Sequence, residues 1–277
     1  MSAHCSFRIG GPAELWLEPG DERELMETLR FLREMGEKPV IVGNGTNLLV
    51  RDEGVRAPVI HIGEALSNIH IDGERLTAGA GASLSRIATA ARDAGLSGLE
   101  FAHGIPGSLG GAVVMNAGAY GGEMKDVVAS VRYLDETGAL RETADAGFSY
   151  RRSRFSDGEG VILGAALRLT PWDPAEIAAR MHELWEKRSS SQPLSKPSAG
   201  SAFKRPATGY AAAMIDGAGL KGFKLGGAQV SEKHAGFVIN TGGATCADVL
   251  ALMAHIQEAV EREYGVLLEP EVRIIGG

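Results

Sequence analysis

Apolar residues at helical spacing predict four helices along the chain. The first begins after Asp21, which has the spacing of a capping box with Glu24, and the others cover about residues 83–94, 174–187 and 245–264. In three of these helices the apolar residues fall on one face, as in helices that pack against a core. These residues are Leu25, Leu29 and Leu32; Leu84, Ile87, Ala88 and Ala91; and Val249, Leu252, Met253, Ile256 and Val260.

Short apolar runs predict β-strands between the helices, and the order of the elements predicts an α/β or α+β fold. Helices and strands do not alternate strictly in the first half, which favours a mixed sheet over a doubly wound parallel one. Pro171 and Pro174 mark a predicted boundary between domains 1–171 and 172–277, and the Ser- and Pro-rich residues 189–209 form a linker or a functional loop. The predicted strands are 13–17, 39–42, 48–50, 59–62, 69–71, 76–78, 127–133, 161–169 and 267–275.

The stretch from Gly104 to Glu123 contains seven glycines in twenty residues, and its only acidic residue is the last. Glycine permits positive φ and lets consecutive amide N–H groups converge on an anion such as a pyrophosphate. Tight turns alone explain a single glycine pair, but here glycines flank the apolar run 112–115 on both sides. The stretch therefore predicts a binding segment rather than plain turns.

Two Gly-x-Gly pairs elsewhere do not fit the common nucleotide-binding motifs. Gly43 with Gly45, and Gly79 with Gly81, follow predicted strands, but both pairs lack the third glycine of the dinucleotide fingerprint. The chain also lacks the GxxxxGK[ST] pattern of the P-loop. A dinucleotide held by several backbone loops of one domain is the remaining interpretation, and an ordinary turn is the alternative for either pair alone.

Composition narrows the classes of function. The chain of 277 residues is 44% hydrophobic and 23% charged, with a net charge of −7 and no run of Lys and Arg, so nucleic-acid binding is not expected. No apolar run approaches the ~20 residues that cross a bilayer and no signal peptide is visible, which predicts a cytoplasmic protein without membrane contact. The two distant cysteines, Cys5 and Cys246, and the scattered histidines indicate neither a disulfide framework nor a metal site.

Five segments occur in an order that is typical of one enzyme family. They are GNGTNLLV (43–50), GIPGSLGGAVVMNAGAYGGE (104–123), YRRS (150–153), SAGSAFKRP (198–206) and LEPEVR (268–273). In these segments the chain resembles the UDP-N-acetylenolpyruvoylglucosamine reductases, the MurB family of peptidoglycan precursor synthesis. Five motifs in order are far more specific than any one of them.

The resemblance implies a fold and a reaction. The fold is an FAD-binding N-terminal region of the vanillyl-alcohol-oxidase (PCMH) type, in two subdomains, followed by an α/β substrate-binding C-terminal domain. The reaction passes a hydride from NADPH through noncovalent FAD to UDP-N-acetylglucosamine enolpyruvate and yields UDP-N-acetylmuramate, and the expected protein is a monomer. Only 49 residues separate Arg151 from Ser201, too few for an insertion found in one branch, so the chain resembles the shorter, type II branch.

The resemblance also assigns the site residues. It implies that Arg151 stabilises the enolate, that Ser201 donates the proton, and that Glu271 polarises the site or a water, with Glu269 as the competing carboxylate. A surface arginine, a turn serine and solvated carboxylates are the structural alternatives. The implied substrate-binding residues are Tyr150, Lys204 and Arg205. The implied FAD contacts are Gly43, Asn44, Gly45, Thr46, Asn47, Leu48, Gly81, Gly104, Ile105, Pro106, Gly107, Ser108, Gly111, Asn116, Ala119 and Ile162. The segment Ser231–His234 also matches a family motif, without an assigned role.

Two alternative functions belong to other classes. One is an FAD-dependent oxidase or dehydrogenase of the same fold that acts on another sugar or a hydroxy acid. Such an enzyme has no need for YRRS, SAGSAFKRP and PEVR together. The other is a non-enzymatic sensor of a nucleotide sugar, which would bind its ligand without any redox chemistry.

Overall fold

The computed structural model describes residues 1–277 and divides them into two compact units that are interleaved along the sequence. The terminal unit comprises Met1–Leu15, Gly45–Ala57 and Ser189–Gly277, and the central unit comprises Trp16–Asn44 and Pro58–Arg188. The domain boundary between residues 171 and 172 stays a prediction, because it separates family domains, whereas the two compact units are separated by where the chain makes its internal contacts. Among residues 1–277, no helix has the length and apolarity that a membrane span requires.

Six α-helices form, and the four predicted ones are among them. Asp21 Oδ1 accepts a hydrogen bond from Glu24 N at 2.8 Å, as in a capping box. The Glu24 carboxylate accepts from Gly20 N, whereas a reciprocal capping box would use Asp21 N. All of the predicted inward-facing residues are buried. The helices are α1 (Glu22–Glu34), α2 (Leu84–Asp93), α3 (Leu109–Val114), α4 (Pro174–Ser191), α5 (Ala211–Gly217) and α6 (Cys246–Tyr264).

The strands are short, and most of the predicted ones are present. They are β1 (Trp16–Leu17), β2 (Val40–Val42), β3 (Leu48–Val50), β4 (Val59–His61), β5 (Ile69–Asp72), β6 (Arg75–Gly79), β7 (Leu96–Ser97), β8 (Gly118–Ala119), β9 (Gly122–Glu123), β10 (Val128–Leu134), β11 (Leu140–Thr143), β12 (Val161–Arg168), β13 (Thr170–Pro171), β14 (Lys224–Leu225), β15 (Ala228–Val230), β16 (Val238–Asn240) and β17 (Arg273–Ile275).

The central unit is built on two sheets of different type. Its five-stranded sheet has the antiparallel order β11-β10-β12-β6-β5, and a three-stranded sheet has the parallel order β1-β4-β2. Parallel and antiparallel pairs therefore occupy separate sheets rather than one mixed sheet. A single hydrophobic core joins α1, α2 and α3 to these strands. Helix α3 packs against β6 and β12, which places the glycine-rich loop before it at the end of the sheet.

The terminal unit joins segments that lie far apart in the sequence. Strand β3 pairs in parallel with β17, so the GNGTNLLV motif lies beside the LEPEVR motif. Strands β14, β15 and β16 form an antiparallel sheet, and α5 and α6 share a core with Phe7 and Ile9 from the N-terminal segment. The motifs around residues 47, 201 and 271 all belong to this unit.

Three predicted elements have different bounds in the structure. Only Arg273–Ile275 of the predicted strand 267–275 pairs as a strand, because Pro270 has no N–H to donate to a ladder. The predicted strand 13–17 is reduced to Trp16–Leu17, with Ala13 in an isolated bridge. Helix α4 continues to Ser191, so the first three residues of the predicted loop 189–209 are helical.

The start of α6 provides a test of the terminal unit. The amides of Cys246 and Ala247 donate to the two carboxylate oxygens of Asp52, at 2.8 and 3.0 Å, and so satisfy two of the free N–H groups of the helix. We expect Asp52→Ala to lower the free energy of unfolding by about 1 kcal/mol, the usual effect of losing an N-terminal cap. Urea denaturation measures this change, with Glu53→Ala as the control. Equal stability of the two variants would contradict the capping role.

Candidate active site

Three of the predicted cofactor loops converge on Ser108 in the central unit. A Cβ on residue 43 would lie 2.2 Å from Ser108 Oγ, so only Gly43 permits this close approach. Ser83 pairs with Ser108 in an isolated antiparallel bridge. The structure thus brings the loop at Gly43 together with residues 79–83 and 104–111.

These loops offer the donors that a dinucleotide phosphate needs. Neither Gly43 N nor Asn44 N donates a hydrogen bond to another backbone carbonyl. Ser108 is the N-cap residue of α3 and is only 2% exposed, yet its hydroxyl makes no capping hydrogen bond. Free amides and a buried hydroxyl around glycines are the groups with which proteins bind pyrophosphate. The residues present therefore fit FAD, held mainly by the backbone.

At two of the predicted FAD contacts, Gly81 and Gly104, the packing of the protein by itself leaves little room for a side chain. A Cβ at Gly81 would lie 1.9 Å from Gly63 O, so the packing of these two loops by itself requires glycine there. A Cβ at Gly104 would lie 3.0 Å from Arg188 Cδ. Their contact with FAD stays a prediction.

The other predicted FAD contacts are distributed over both units. In the central unit Ile105, Pro106, Gly107, Gly111 and Ala119 are partly or fully exposed, whereas Ile162 is 6% exposed in β12. In the terminal unit lie Gly45, Thr46, Asn47 and Leu48. Gly45 has φ +61°, and a Cβ there would lie 2.3 Å from His4 O, so both its conformation and its packing require glycine.

Asn116, predicted as an FAD contact, has all of its amide groups bonded inside the protein. Its Nδ2 donates to Glu123 Oε2 at 2.8 Å and to Ser149 O at 3.0 Å, and its Oδ1 accepts from Lys125 N at 2.9 Å. The residue is 0% exposed and has φ +42°. Its side chain thus has no donor left for a cofactor, and its observed contacts fix the segment around Ser149.

That segment is the tight turn that carries Arg151. Ser149 and Arg152 exchange backbone hydrogen bonds of 2.9 and 3.2 Å, with Tyr150 and Arg151 at the tip. Arg151 has φ +54°, a left-handed conformation that is unusual for a residue with a side chain. Strained backbone of this kind occurs where the surrounding structure holds it, and it often marks a functional site.

The glycine-rich stretch anchors this turn at further points. Arg151 Nη2 donates to Gly118 O at 3.1 Å, and the guanidinium carbon lies 5.3 Å from the centre of the Tyr150 ring. Ser153 and Ser156 both donate through their hydroxyls to Val114 O, at 2.9 and 2.8 Å. The second half of the stretch therefore orients the arginine that the sequence assigned to catalysis.

Ser201 lies in the terminal unit, and the residue after it, Ala202, is bonded to two other segments. Ala202 N donates to Gly236 O at 2.8 Å, and Ala202 O accepts from Glu271 N at 2.9 Å. Ser201 forms a bridge with Phe237. Two of the three candidate catalytic residues therefore meet at Ala202, because Ser201 precedes it in the chain and Glu271 N donates to its carbonyl.

The two competing carboxylates have different surroundings. Glu269 is exposed and its carboxylate forms an ion pair with the Lys204 ammonium. Glu271 is half-buried, and Asn47 Nδ2 donates to its carbonyl at 3.2 Å. This difference supports Glu271 over Glu269 as the carboxylate of the site, because a partly buried carboxylate responds more strongly to nearby charge.

The remaining predicted substrate-binding residues are accessible. Tyr150 is about half-exposed, at 49%. Arg205 is exposed, donates through Nε to Gly209 O at 3.3 Å, and lies with its guanidinium carbon 4.1 Å from the centre of the Tyr210 ring. Sequence reasoning did not single out Tyr210, whose only signal was its place a few residues after the SAGSAFKRP motif.

The close approach of Gly43 to Ser108 gives a test of the cofactor loops. We expect Gly43→Ala to lower the affinity for FAD by on the order of tenfold or more, because the new methyl group must displace either the loop or the Ser108 hydroxyl. Titration of the apoprotein with FAD measures the affinity. Gly20→Ala is a matched control, since its Cβ would meet only the end of the flexible Glu24 side chain. Unchanged FAD affinity in Gly43→Ala would contradict the assignment.

Comparison with protein families identifies both parts of the chain. Residues 13–144 match the model of an FAD-binding domain. Residues 192–275 match the model of the UDP-N-acetylenolpyruvoylglucosamine reductase C-terminal domain. The first match contains the loops around Ser108, and the second contains the segments around Ser201 and Glu271.

Relatives match the whole chain. It is 49% identical to the UDP-N-acetylenolpyruvoylglucosamine reductase of Caldanaerobacter subterraneus subsp. tengcongensis, over 100% of this chain and 92% of that protein. It is 45% identical to the reductase of the same name from Clostridioides difficile, over 100% and 91%. The crystal structure of the enzyme from Thermus caldophilus superposes with a TM-score of 0.85 at 36% identity, over 99% of this chain and 96% of that one. The chain belongs to the UDP-N-acetylenolpyruvoylglucosamine reductase (MurB) family.

Proposed function

We propose that this chain reduces UDP-N-acetylglucosamine enolpyruvate to UDP-N-acetylmuramate with NADPH, a step of peptidoglycan precursor synthesis. The observation that carries the proposal is the pair of backbone hydrogen bonds at Ala202. These bonds hold the segment of a hydroxyl-bearing residue, Ser201, next to a half-buried carboxylate residue, Glu271. Membership of the family and the match to an FAD-binding domain support it.

The reaction adds a hydride and a proton across the enolpyruvyl double bond. The loops around Gly43 and Ser108 would hold FAD, which would supply the transfer of a hydride from NADPH to one carbon of that bond. The neighbouring carbon takes a proton, so each turnover consumes one NADPH and one proton and releases NADP⁺. The protein must bind the carboxylate on which negative charge builds up, and must hold an acid near the carbon that is protonated.

Arg151 is the residue that we assign to the charge on the substrate carboxylate. A guanidinium remains charged at every physiological pH and binds a carboxylate through two parallel hydrogen bonds. The left-handed turn and the bond to Gly118 O restrict the side chain before substrate arrives. Preorganisation of this kind lowers the cost of reorienting the cation during the reaction.

Ser201 is the proposed proton donor, and Glu271 the carboxylate that polarises the site or a water beside it. A serine hydroxyl is a weak acid, which suffices only because an enolate-like species is strongly basic and the hydroxyl is held in place. Ser201 is half-buried, which leaves it accessible to a ligand. Its backbone is fixed through the bridge to Phe237.

The proposal also covers substrate binding, the oligomeric state and the location of the protein in the cell. Tyr150, Lys204 and Arg205 are proposed to contact the substrate, the two cations at its diphosphate. We further propose a cytoplasmic monomer of the type II branch that contacts neither nucleic acid nor membrane and supports cell shape and division through cell-wall synthesis. Its substrates, a nucleotide sugar and NADPH, are consistent with that setting.

The visible spectrum of the FAD-loaded protein under anaerobic conditions tests the function. NADPH should bleach the flavin, and addition of the enolpyruvyl nucleotide alone should restore the oxidised spectrum. Return of the colour only on admission of air, with no response to the nucleotide, would indicate an oxidase. A protein that takes up no FAD would indicate a non-enzymatic binding module.

Replacement of Ser201 should separate the two half-reactions. Ser201→Ala removes the proposed acid but leaves the predicted FAD contacts in place, so NADPH should still bleach the flavin at the wild-type rate. Reoxidation by the enolpyruvyl nucleotide should slow by ~10²- to 10⁴-fold, the usual contribution of a general acid. Stopped-flow absorbance measures both rates. An equal loss in the two half-reactions would count against Ser201 as the proton donor.

The Asn116 contacts give a parallel test of the Arg151 turn. Asn116→Ala removes the bond that holds Ser149 O, so the nucleotide-dependent step should slow by on the order of tenfold or more while flavin reduction by NADPH persists. Arg152→Ala is the control in the same turn, because that exposed side chain pairs only with Asp157. If folded Asn116→Ala protein retained the wild-type reoxidation rate, the positioning role would be wrong.

A further inference from the structure

The segment 231–237 begins with the family motif 231–234, which the sequence left without a role, and it is the partner of the Ser201 segment. It is a compact turn in which Ser231 Oγ accepts from Lys233 N and His234 N at 3.2 and 3.3 Å. Phe237 N donates to His234 O at 3.0 Å, which closes the turn. Ser231 is 1% exposed, so this hydroxyl bonds inside the protein.

A side-chain hydrogen bond fixes the next peptide of the turn. Gly236 N donates to His234 Nδ1 at 3.1 Å, so Nδ1 must be unprotonated and the ring carries its proton on Nε2. Burial lowers the pKa of His234, and the positive charge of Lys221 lowers it further, which keeps the ring neutral near pH 7. The imidazole is therefore an acceptor toward Gly236 under physiological conditions.

Gly236 also forms a hydrogen bond with the segment that contains Ser201. Gly236 O accepts from Ala202 N at 2.8 Å, and the peptide N–H that follows this carbonyl is the Phe237 N–H bonded to His234 O. Both ends of the 236–237 peptide are thus fixed, one by Ala202 and one by the backbone of His234. The bond to the His234 imidazole fixes the Gly236 N–H, which belongs to the preceding peptide, between residues 235 and 236.

We propose that His234 is a positioning residue for Ser201, acting through two hydrogen bonds, one from Gly236 N to His234 Nδ1 and one from Ala202 N to Gly236 O. The inference rests on the proposed function, because it assigns His234 to the proton-transfer half of that reaction. It adds a role for a side chain that touches none of the reacting atoms. Misplacement of a catalytic group by 1 Å is enough to cost on the order of 10²-fold in rate.

The test compares His234→Ala with His234→Asn in the FAD-loaded protein. Asparagine places Oδ1 where it accepts a hydrogen bond from the amide two residues later, the geometry that Nδ1 has here. In His234→Ala, NADPH should reduce the flavin at the wild-type rate, while reoxidation by the enolpyruvyl nucleotide should slow by roughly 10- to 100-fold. His234→Asn should restore most of the lost rate. Glu232→Ala, an exposed change in the same turn, is the control and should behave as wild type.

Several results would overturn the inference. They are reoxidation of His234→Ala at the wild-type rate, an equal loss in both half-reactions, and failure of His234→Asn to exceed His234→Ala at equal FAD content. If the wild-type protein itself were not reoxidised by the nucleotide, the proposed function would be wrong and this inference would fall with it. If wild type and His234→Ala were reoxidised alike, this inference alone would fall.

A second variant keeps the test decisive if His234→Ala does not fold. A Cβ on residue 236 would lie 3.0 Å from His234 Cε1, 3.1 Å from Nδ1 and 3.2 Å from Ala212 Cβ, so Gly236→Ala crowds the ring most closely and shifts it against its bond. We expect the same selective slowing of reoxidation, and a smaller effect of Gly236→Ala in the His234→Asn background, where Cε1 is absent. Equal effects in the two backgrounds would show that the ring is not the element displaced, and would contradict the proposal.

Discussion

The backbone of Ala202 is the constraint on which the chemistry of the terminal unit depends. Its N–H donates to Gly236 O, and its C=O accepts from Glu271 N. A residue whose N–H and C=O are both bonded to other segments has little freedom to move, and Ser201 immediately precedes Ala202. The proposed acid and the proposed carboxylate thus keep a fixed relation through main-chain bonds, which are insensitive to the identity of the side chains around them.

The glycine-rich stretch has two functions that follow one another along the sequence. Its first half brings Ser108 against Gly43 and leaves donors free for a phosphate. Its second half, from Val114 to Glu123, holds the turn of Arg151 through carbonyls and the buried amide of Asn116. Within the central unit, one segment therefore links the predicted cofactor loops to Arg151, the proposed cation of the reaction.

Local signals explain what the sequence predicted well. The predicted helix 83–94 matches α2 to within a residue at each end, because the Ser83 cap and the apolar face are properties of the segment itself. Helix α3 was not predicted, since Gly110 and Gly111 have low helix propensity and the helix depends on burial of Leu109 and Val113 in the core.

The site geometry required tertiary information. The partners of Ala202 come from distant segments and form isolated bonds, so no periodic pattern reveals them. Arg151 was assigned by resemblance, but its left-handed turn is held by the bond from Asn116 Nδ2 to Ser149 O and by the bond from Arg151 Nη2 to Gly118 O. His234 was visible only as part of a motif, because its acceptor role depends on a turn and on burial that lowers its pKa.

The two backbone hydrogen bonds of Ala202 can be tested directly by residue-resolved hydrogen exchange. The amides of Ala202 and Glu271 should exchange as slowly as those of the neighbouring β15–β16 pair, since both are bonded to backbone carbonyls in a held segment. Exchange of these two amides at the rate of exposed loop amides such as that of Gly209 would contradict the account, because Glu271 and the residue after Ser201 would then not be held together by a backbone hydrogen bond.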